Sequence, residues 1–124
     1  MRLRIDVLKA RFPFLSDEHV RCGVEVPIGW LTIIERLCDV LHAVGVQPGE
    51  IHQVKEKLGG LRVYHSVKSR AVSSAVFLAE IASLHTCQLC GNVSSGPAEP
   101  GIDRHLIETL CQGCRRHKYG EPEE

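Results

Sequence analysis

Aromatic residues are scarce in this chain: three Phe, two Tyr and one Trp among 124 residues. Any core must therefore be mostly aliphatic. Net charge is absent too, with 15 basic and 15 acidic side chains, so no global field draws the chain to nucleic acid or an anionic membrane. Long apolar runs are missing. The opening stretch MRLRIDVLKARFPFLSDEH interleaves charges with its apolar residues and lacks the apolar run of a secretory signal. No segment reaches membrane-spanning length. A cytoplasmic protein without a membrane partner is expected. The common catalytic signatures are also missing: no phosphate-cradling G-K-[ST] loop, H-E-x-x-H, G-x-S-x-G or paired carboxylates. KEKLGG is no P-loop, because its glycines follow its lysines. His19, His42, His52 and His65 are available as acid–base groups and Cys22 as a nucleophile. No pattern joins them, and a non-enzymatic protein is expected.

What is present suits one globular domain. Hydrophobic residues make up 44% and charged residues 24%, ordinary values for a packed chain. Val7 to Phe12 reads as a short helix that stops before Pro13, since the residue preceding a proline is pushed out of the α region. IGWLTIIERLCDVLHAVG is a longer helix. Trp30, Ile33, Ile34, Leu37, Leu41 and Val44 follow the three–four spacing of one face, and Gly45 is placed to terminate it with a left-handed cap. Cys38 lies beside that stripe and reads as a buried, inert thiol. EIHQVKEKLGGLRVYHSV reads as a β-hairpin turning at Gly59-Gly60. In its second strand Leu61, Val63, His65 and Val67 point one way and Arg62, Tyr64 and Ser66 the other. SRAVSSAVFLAEIASLH is a second helix, with Ser69 as N-cap and a broad apolar face for packing on the hairpin or the first helix. NVSSGPAEPG then reads as loop, and YGEPEE as a polar, frayed tail.

The chemistry lies in two pairs, Cys87-Gln-Leu-Cys90 and Cys111-Gln-Gly-Cys114, with twenty residues between them. Two C-x-x-C pairs at this separation match the spacing of a zinc site. Zn²⁺ takes four tetrahedral ligands, and a pair separated by two residues can turn through a tight knuckle and present both sulfurs to one ion. Gly91 and Gly113 are placed to let backbone amides face the sulfurs. Four thiolates leave no open position, so the expected zinc is structural, and its binding should contribute on the order of 10 kcal/mol to folding this segment. A thioredoxin-like pair needs only one C-x-x-C after a strand, and disulfides need an oxidising compartment. His117 follows Cys114 at the same two-residue gap, and His85 and His105 are near in sequence; each is an alternative ligand, with a surface role the blander reading.

Several motifs then line up in order: GW opening a helix, QVKEKLGGLRVY, a helix ending in TCQLCG, and a late TLCQGC. This order, over Gly29 to His117, resembles a family of small uncharacterised bacterial and phage proteins whose hairpin reads VKEKFGGLRFY and whose C-x-x-C-G knuckle leads to a final C-x-x-[CH]. The chain departs in having Leu58 and Val63 where aromatics are usual, and Cys114 where histidine is frequent. The resemblance implies no activity. It implies a bacterial or phage-infected setting, and through it an accessory role such as modulating a host or defence complex.

The charge is unevenly spread. Between Gln53 and Arg70 there are five basic side chains against Glu56 alone. Lys55, Lys57, Arg62 and Tyr64 on the hairpin, with Arg115 and Arg116 beside the second cysteine pair, are the candidate binding residues. They could meet an acidic protein surface or, with Tyr64 stacking on an unpaired base, phosphates and bases. The bland alternative is lysines guarding an exposed edge strand and a solvated helix end. The reading that results is an α+β fold, two main helices on a small antiparallel hairpin or sheet. Residues 1–85 form the body, 86–118 a zinc-ribbon-like element and 119–124 a disordered tail. The expected function is zinc-stabilised binding of a macromolecule, a protein ahead of a nucleic acid.

Overall fold

The computed structural model describes residues 2–98 and 107–120. Its centre is the helix α2, Leu31–Val44, entered through a 3-10 turn at Ile28–Trp30. Leu31, Ile34, Leu37, Cys38 and Leu41 are buried along one face, and Trp30 is completely buried. The stripe read from sequence holds except at its ends: Ile33 is half-buried and Val44 exposed. Leu31 and Cys38 fill the face instead. Gly45 takes the left-handed backbone at the C-cap, and its N–H donates to the Leu41 and His42 carbonyls. Helix α1, Arg2–Arg11, is longer at its start than the sequence suggested, and it ends before Pro13 as expected. Arg11 then bridges to α2, donating to Glu35 at 3.0 Å and Asp39 at 2.9 Å.

The sheet has three strands, in the order β1 (Val24–Glu25), β2 (Ile51–Lys57) and β3 (Gly60–His65). The hairpin β2–β3 is antiparallel; β1 adds in parallel to β2, pairing Val24 with Val54 and Glu25 with Lys55. Two residues of strand carry too little pattern to be read from sequence. The hairpin turn also sits one residue earlier than expected. Its central residues are Leu58 and Gly59, both at positive φ (53° and 82°), the pattern of a type I′ turn. Gly60 instead starts β3, paired with Lys57. Glu56 closes the turn by accepting the Gly59 N–H at 2.7 Å.

Helix α3, Arg70–Ser83, begins at Ser69, whose Oγ accepts the Val72 N–H. It packs on both α2 and β3. Leu61 and Val63 on the sheet edge do not face water with their amides: Leu61 N–H donates to Ser83 Oγ at 2.9 Å and Val63 N–H to Glu80 Oε2 at 3.0 Å. The edge is thus covered by α3. Lys55 lies where β1 pairs with β2, so the reading of it as an edge guard is corrected; Lys57 lies two residues past that pairing and is exposed. Leu61, Val63, Val54 and Ile51 face the core, while Arg62 and Tyr64 lie on the other face with Lys55 and Lys57.

Cys38 is 1% exposed, and burial, reinforced by the nearby Asp39 carboxylate, pushes its thiol up to about 12. A thiolate is the reactive form, so brief iodoacetamide treatment at neutral pH should alkylate exposed Cys22 and leave Cys38 untouched. Mass spectrometry of tryptic peptides decides it; modified Cys38 in the native protein would contradict the packing. The folded-state value lies above the ordinary 9.0, so the neutral thiol's contribution is intact below about pH 9 and is lost as pH climbs toward 12.

Candidate metal centre

The four cysteines are brought together. The ligand atoms of Cys87, Cys90, Cys111 and Cys114 all lie within 4.8 Å of one another, and Cys90 Sγ stands 3.6 Å from Cys111 Sγ. The set is placed to hold a metal ion. No other such cluster occurs among the described residues. His85 and His117 are exposed and outside the group; His105 lies outside the described residues.

The two pairs are built differently. Cys87 and Cys90 sit on a knuckle bracketed by a bridge between Thr86 and Val93. Its turn is closed by Gly91 N–H donating to the Cys87 carbonyl at 3.0 Å and by Cys87 N–H donating to Asn92 O at 2.7 Å. Gly91 stands at φ 83°, a backbone that a side chain resists. That bend turns the Asn92 N–H toward Cys90 Sγ at 3.5 Å. The second pair is not on a matching turn. Cys111 is the N-cap of helix α4, Gln112–Tyr119, its sulfur accepting the Cys114 N–H at 3.3 Å, and Cys114 lies in the first turn. Gly113 is an ordinary helical residue with no positive φ. The expectation that both glycines bend a knuckle is corrected: a helix N-terminus already points free amides and the positive dipole end at the sulfurs. Between the pairs lie two short antiparallel strands, β4 (Pro97–Ala98), within the stretch that read as loop, and β5 (Glu108–Thr109).

The sulfurs differ in their hold on a proton. Burial of Cys87 works against its ionisation, but backbone amides of Cys111, Cys90 and Leu89 outweigh it and bring the thiol down to about 6. Cys90 and Cys114 move the other way. The Asn92 amide favours the Cys90 thiolate, but desolvation and the neighbouring Cys111 sulfur prevail; at Cys114, desolvation and three neighbouring sulfurs raise the value. One negative charge is comfortable in this cluster and several are not. A bound cation removes that conflict.

The unit is fastened to the body at three points that sequence reasoning did not single out as parts of the site. Gly29 N–H donates to Gln88 O at 2.8 Å, and Trp30 Nε1–H donates to Thr86 O at 2.9 Å. Thr109, fully buried, donates its hydroxyl to Gly59 O at 2.6 Å and its amide to the Gln88 side chain at 2.6 Å. Ser94, also buried, donates to Leu110 O at 2.7 Å. The Gly59 turn is therefore seated on the metal unit. Helix α4 is tied at its far end, where Lys118 donates to Glu108 at 2.6 Å and Tyr119 bonds the same carboxylate. Partial burial opposes Glu108's charge, but these two bonds outweigh it and hold its carboxyl below the usual range. Tyr119, expected in a frayed tail, is thus part of the helix; residues 121–124 lie outside the described residues.

The candidate binding residues divide. Lys55 and Arg62 are directly opposite on neighbouring strands. Tyr64 is 43% exposed, and Lys57 is exposed at the strand end. Arg115 and Arg116 lie on α4, where Arg115 is close enough to lower the proton affinity of Glu108. Comparison with family models, with curated proteins and with solved structures finds no match to this chain. No helix among the described residues is long and apolar enough to cross a membrane.

Proposed function

We propose that the chain is a non-enzymatic binding module whose last third is held by one structural Zn²⁺. The closed sulfur tetrad carries this reading. Four sulfurs about 2.3 Å from a tetrahedral zinc stand roughly 3.8 Å apart; Cys90 and Cys111 are 3.6 Å apart and no ligand atom lies beyond 4.8 Å from another. Four thiolates suit zinc or iron in preference to hard cations, and they leave no position for a substrate. Elemental analysis of reduced protein should find one zinc per chain, and the cobalt-substituted chain should carry the thiolate charge-transfer band of tetrahedral sulfur coordination. Iron in place of zinc, or no metal, would overturn the assignment.

The partner surface we assign is the outer face of the sheet: Lys55, Lys57, Arg62 and Tyr64, with Arg115 and Arg116 as a second basic group. Like charges directly opposite on paired strands destabilise a sheet by a fraction of a kcal/mol; Arg62 donates one N–H to the Leu61 carbonyl at 3.1 Å, and Glu25 beside Lys55 offsets only one side of the Lys55–Arg62 pair. An acidic protein surface fits that face, in keeping with an accessory protein of bacterial or phage origin acting on a host or defence complex. Half-exposed Tyr64 next to Arg62 favours nucleic acid as the second reading. Reversing Lys55, Lys57 and Arg62 to Glu should leave unfolding within about 0.5 kcal/mol of the natural chain, and oligonucleotide titrations at two salt concentrations should show no salt-sensitive binding. Salt-sensitive binding lost in the triple variant would transfer the function to nucleic acid; a collapse of stability would make these residues structural.

A further inference from the structure

A second surface lies on the opposite, helical side. Between α2 and α3 runs an apolar groove of about 360 Å³. Ala79 and Ala82 form part of its wall, and Ile33, Val40 and Leu78 stand beside them. Leu78 is 64% exposed and Val40 38%, a large solvent-facing apolar area for one helix pair. On α2 the groove runs from Thr32 to Val40, about 12 Å at 1.5 Å per residue, or roughly two helical turns. At its end it meets a second cavity of similar size that reaches the metal knuckle at Leu89 and Gly91; Thr32, Ile33 and Arg36 line both.

Arg36 is the one basic side chain lining either cavity; the second is also lined by Cys90 of the sulfur cluster. Its nearest acidic neighbours on the helix, Glu35 and Asp39, are both taken by Arg11. Among the described residues Arg36 makes no ion pair, and its neighbours one turn away on the groove side are Thr32, Ile33 and Val40. A guanidinium where the apolar groove meets the more polar cavity beside the knuckle is complemented by a carboxylate flanked by apolar groups. A second copy of this chain laid groove to groove would bring another Arg36 and no acid from that surface.

We propose that this groove docks a short amphipathic helix of a partner protein, its apolar face on Leu78, Val40 and Ala82 and an Asp or Glu on Arg36. Helix-in-groove recognition uses anchors at i and i+4 or i+7, which two turns supply. The site is separate from the basic sheet face and stands or falls without it.

The test begins with peptide display, selecting twelve-residue peptides on the whole metal-loaded chain. Apolar, carboxylate-bearing helical sequences should emerge. Fluorescence anisotropy with a synthetic copy should show affinity falling about tenfold or more in both Arg36→Glu and Leu78→Glu, a loss of about 1.4 kcal/mol per decade. Lys55→Glu should change nothing, and exchanging the peptide's acid for Lys should recover binding to Arg36→Glu. Both positions are exposed, so both variants should fold; Arg36→Ala, checked by circular dichroism, serves if Arg36→Glu does not. The proposal is overturned if no groove-binding peptide is selected, if the selected peptides need no carboxylate, or if they bind both variants as tightly as the natural chain. It is overturned equally if the chain forms a dimer in sedimentation that Leu78→Glu dissolves, since the occupant would then be a second copy.

Discussion

Stripping the metal from the reduced chain is expected to unfasten the last third while the body stays folded. The buried core cluster runs from Leu8 to Ala79 and draws no member from the knuckle, β5 or α4. The metal unit has little to replace the ion: α4 buries no residue, and β4 and β5 are two residues each. A structural zinc site contributes on the order of 10 kcal/mol of apparent binding free energy near neutral pH. Hydrogen exchange should show loss of protection at Gln88, Thr109 and Leu110, with Ile34, Val54 and Val72 still slow. Since all four ligands must be thiolates, metal affinity should fall as pH falls, and protons should be released on binding. Unchanged exchange at Thr109 after complete metal removal would mean that side-chain packing, and not the ion, holds this unit.

Gly29→Ala is expected to be the most damaging glycine-to-alanine change among the described residues. A Cβ there would overlap the Cys87 carbonyl oxygen and stand 2.6 Å from the Gln88 carbonyl carbon. Both are backbone atoms of the metal knuckle, so no side chain can swing aside. The knuckle must move away from α2, breaking the Gly29–Gln88 hydrogen bond and stretching the Trp30–Thr86 bond. Overpacking of this kind costs about 3 kcal/mol, a fall of roughly 10 °C in Tm for a chain of this size, and metal affinity should drop with it. Gly113→Ala is the contrast. A Cβ there meets nothing within 4 Å in helix α4, so the change should stabilise by about 0.5–1 kcal/mol. Equal effects of the two substitutions on Tm and metal release would refute the close docking of the knuckle.

Much of this was legible because it is local. The 3.6-residue period of α2, its Gly45 cap, the Ser69 cap, the alternation in β3 and the spacing within each C-x-x-C pair are properties of short stretches. The misreadings are also local in origin. Two glycines at 59 and 60 look like the turn, but a turn needs positive φ at both central residues, and it falls on Leu58 and Gly59 because Gly60 is used to start the strand beside Leu84. Gly113 looks like a knuckle glycine, but the residues after Cys111 wind into a helix.

The amino-acid order by itself determined that four sulfurs arrive in two pairs, and which stretches become helix or strand, because ligand spacing and hydrophobic period are written over a few neighbouring residues. Only the tertiary structure decided where the metal unit sits and what it touches. Trp30 reaches Thr86 across 56 positions and Gly59 meets Thr109 across 50. Contacts at that separation leave no periodic trace in a single chain, since they depend on how packed elements bring distant backbone groups within hydrogen-bonding distance.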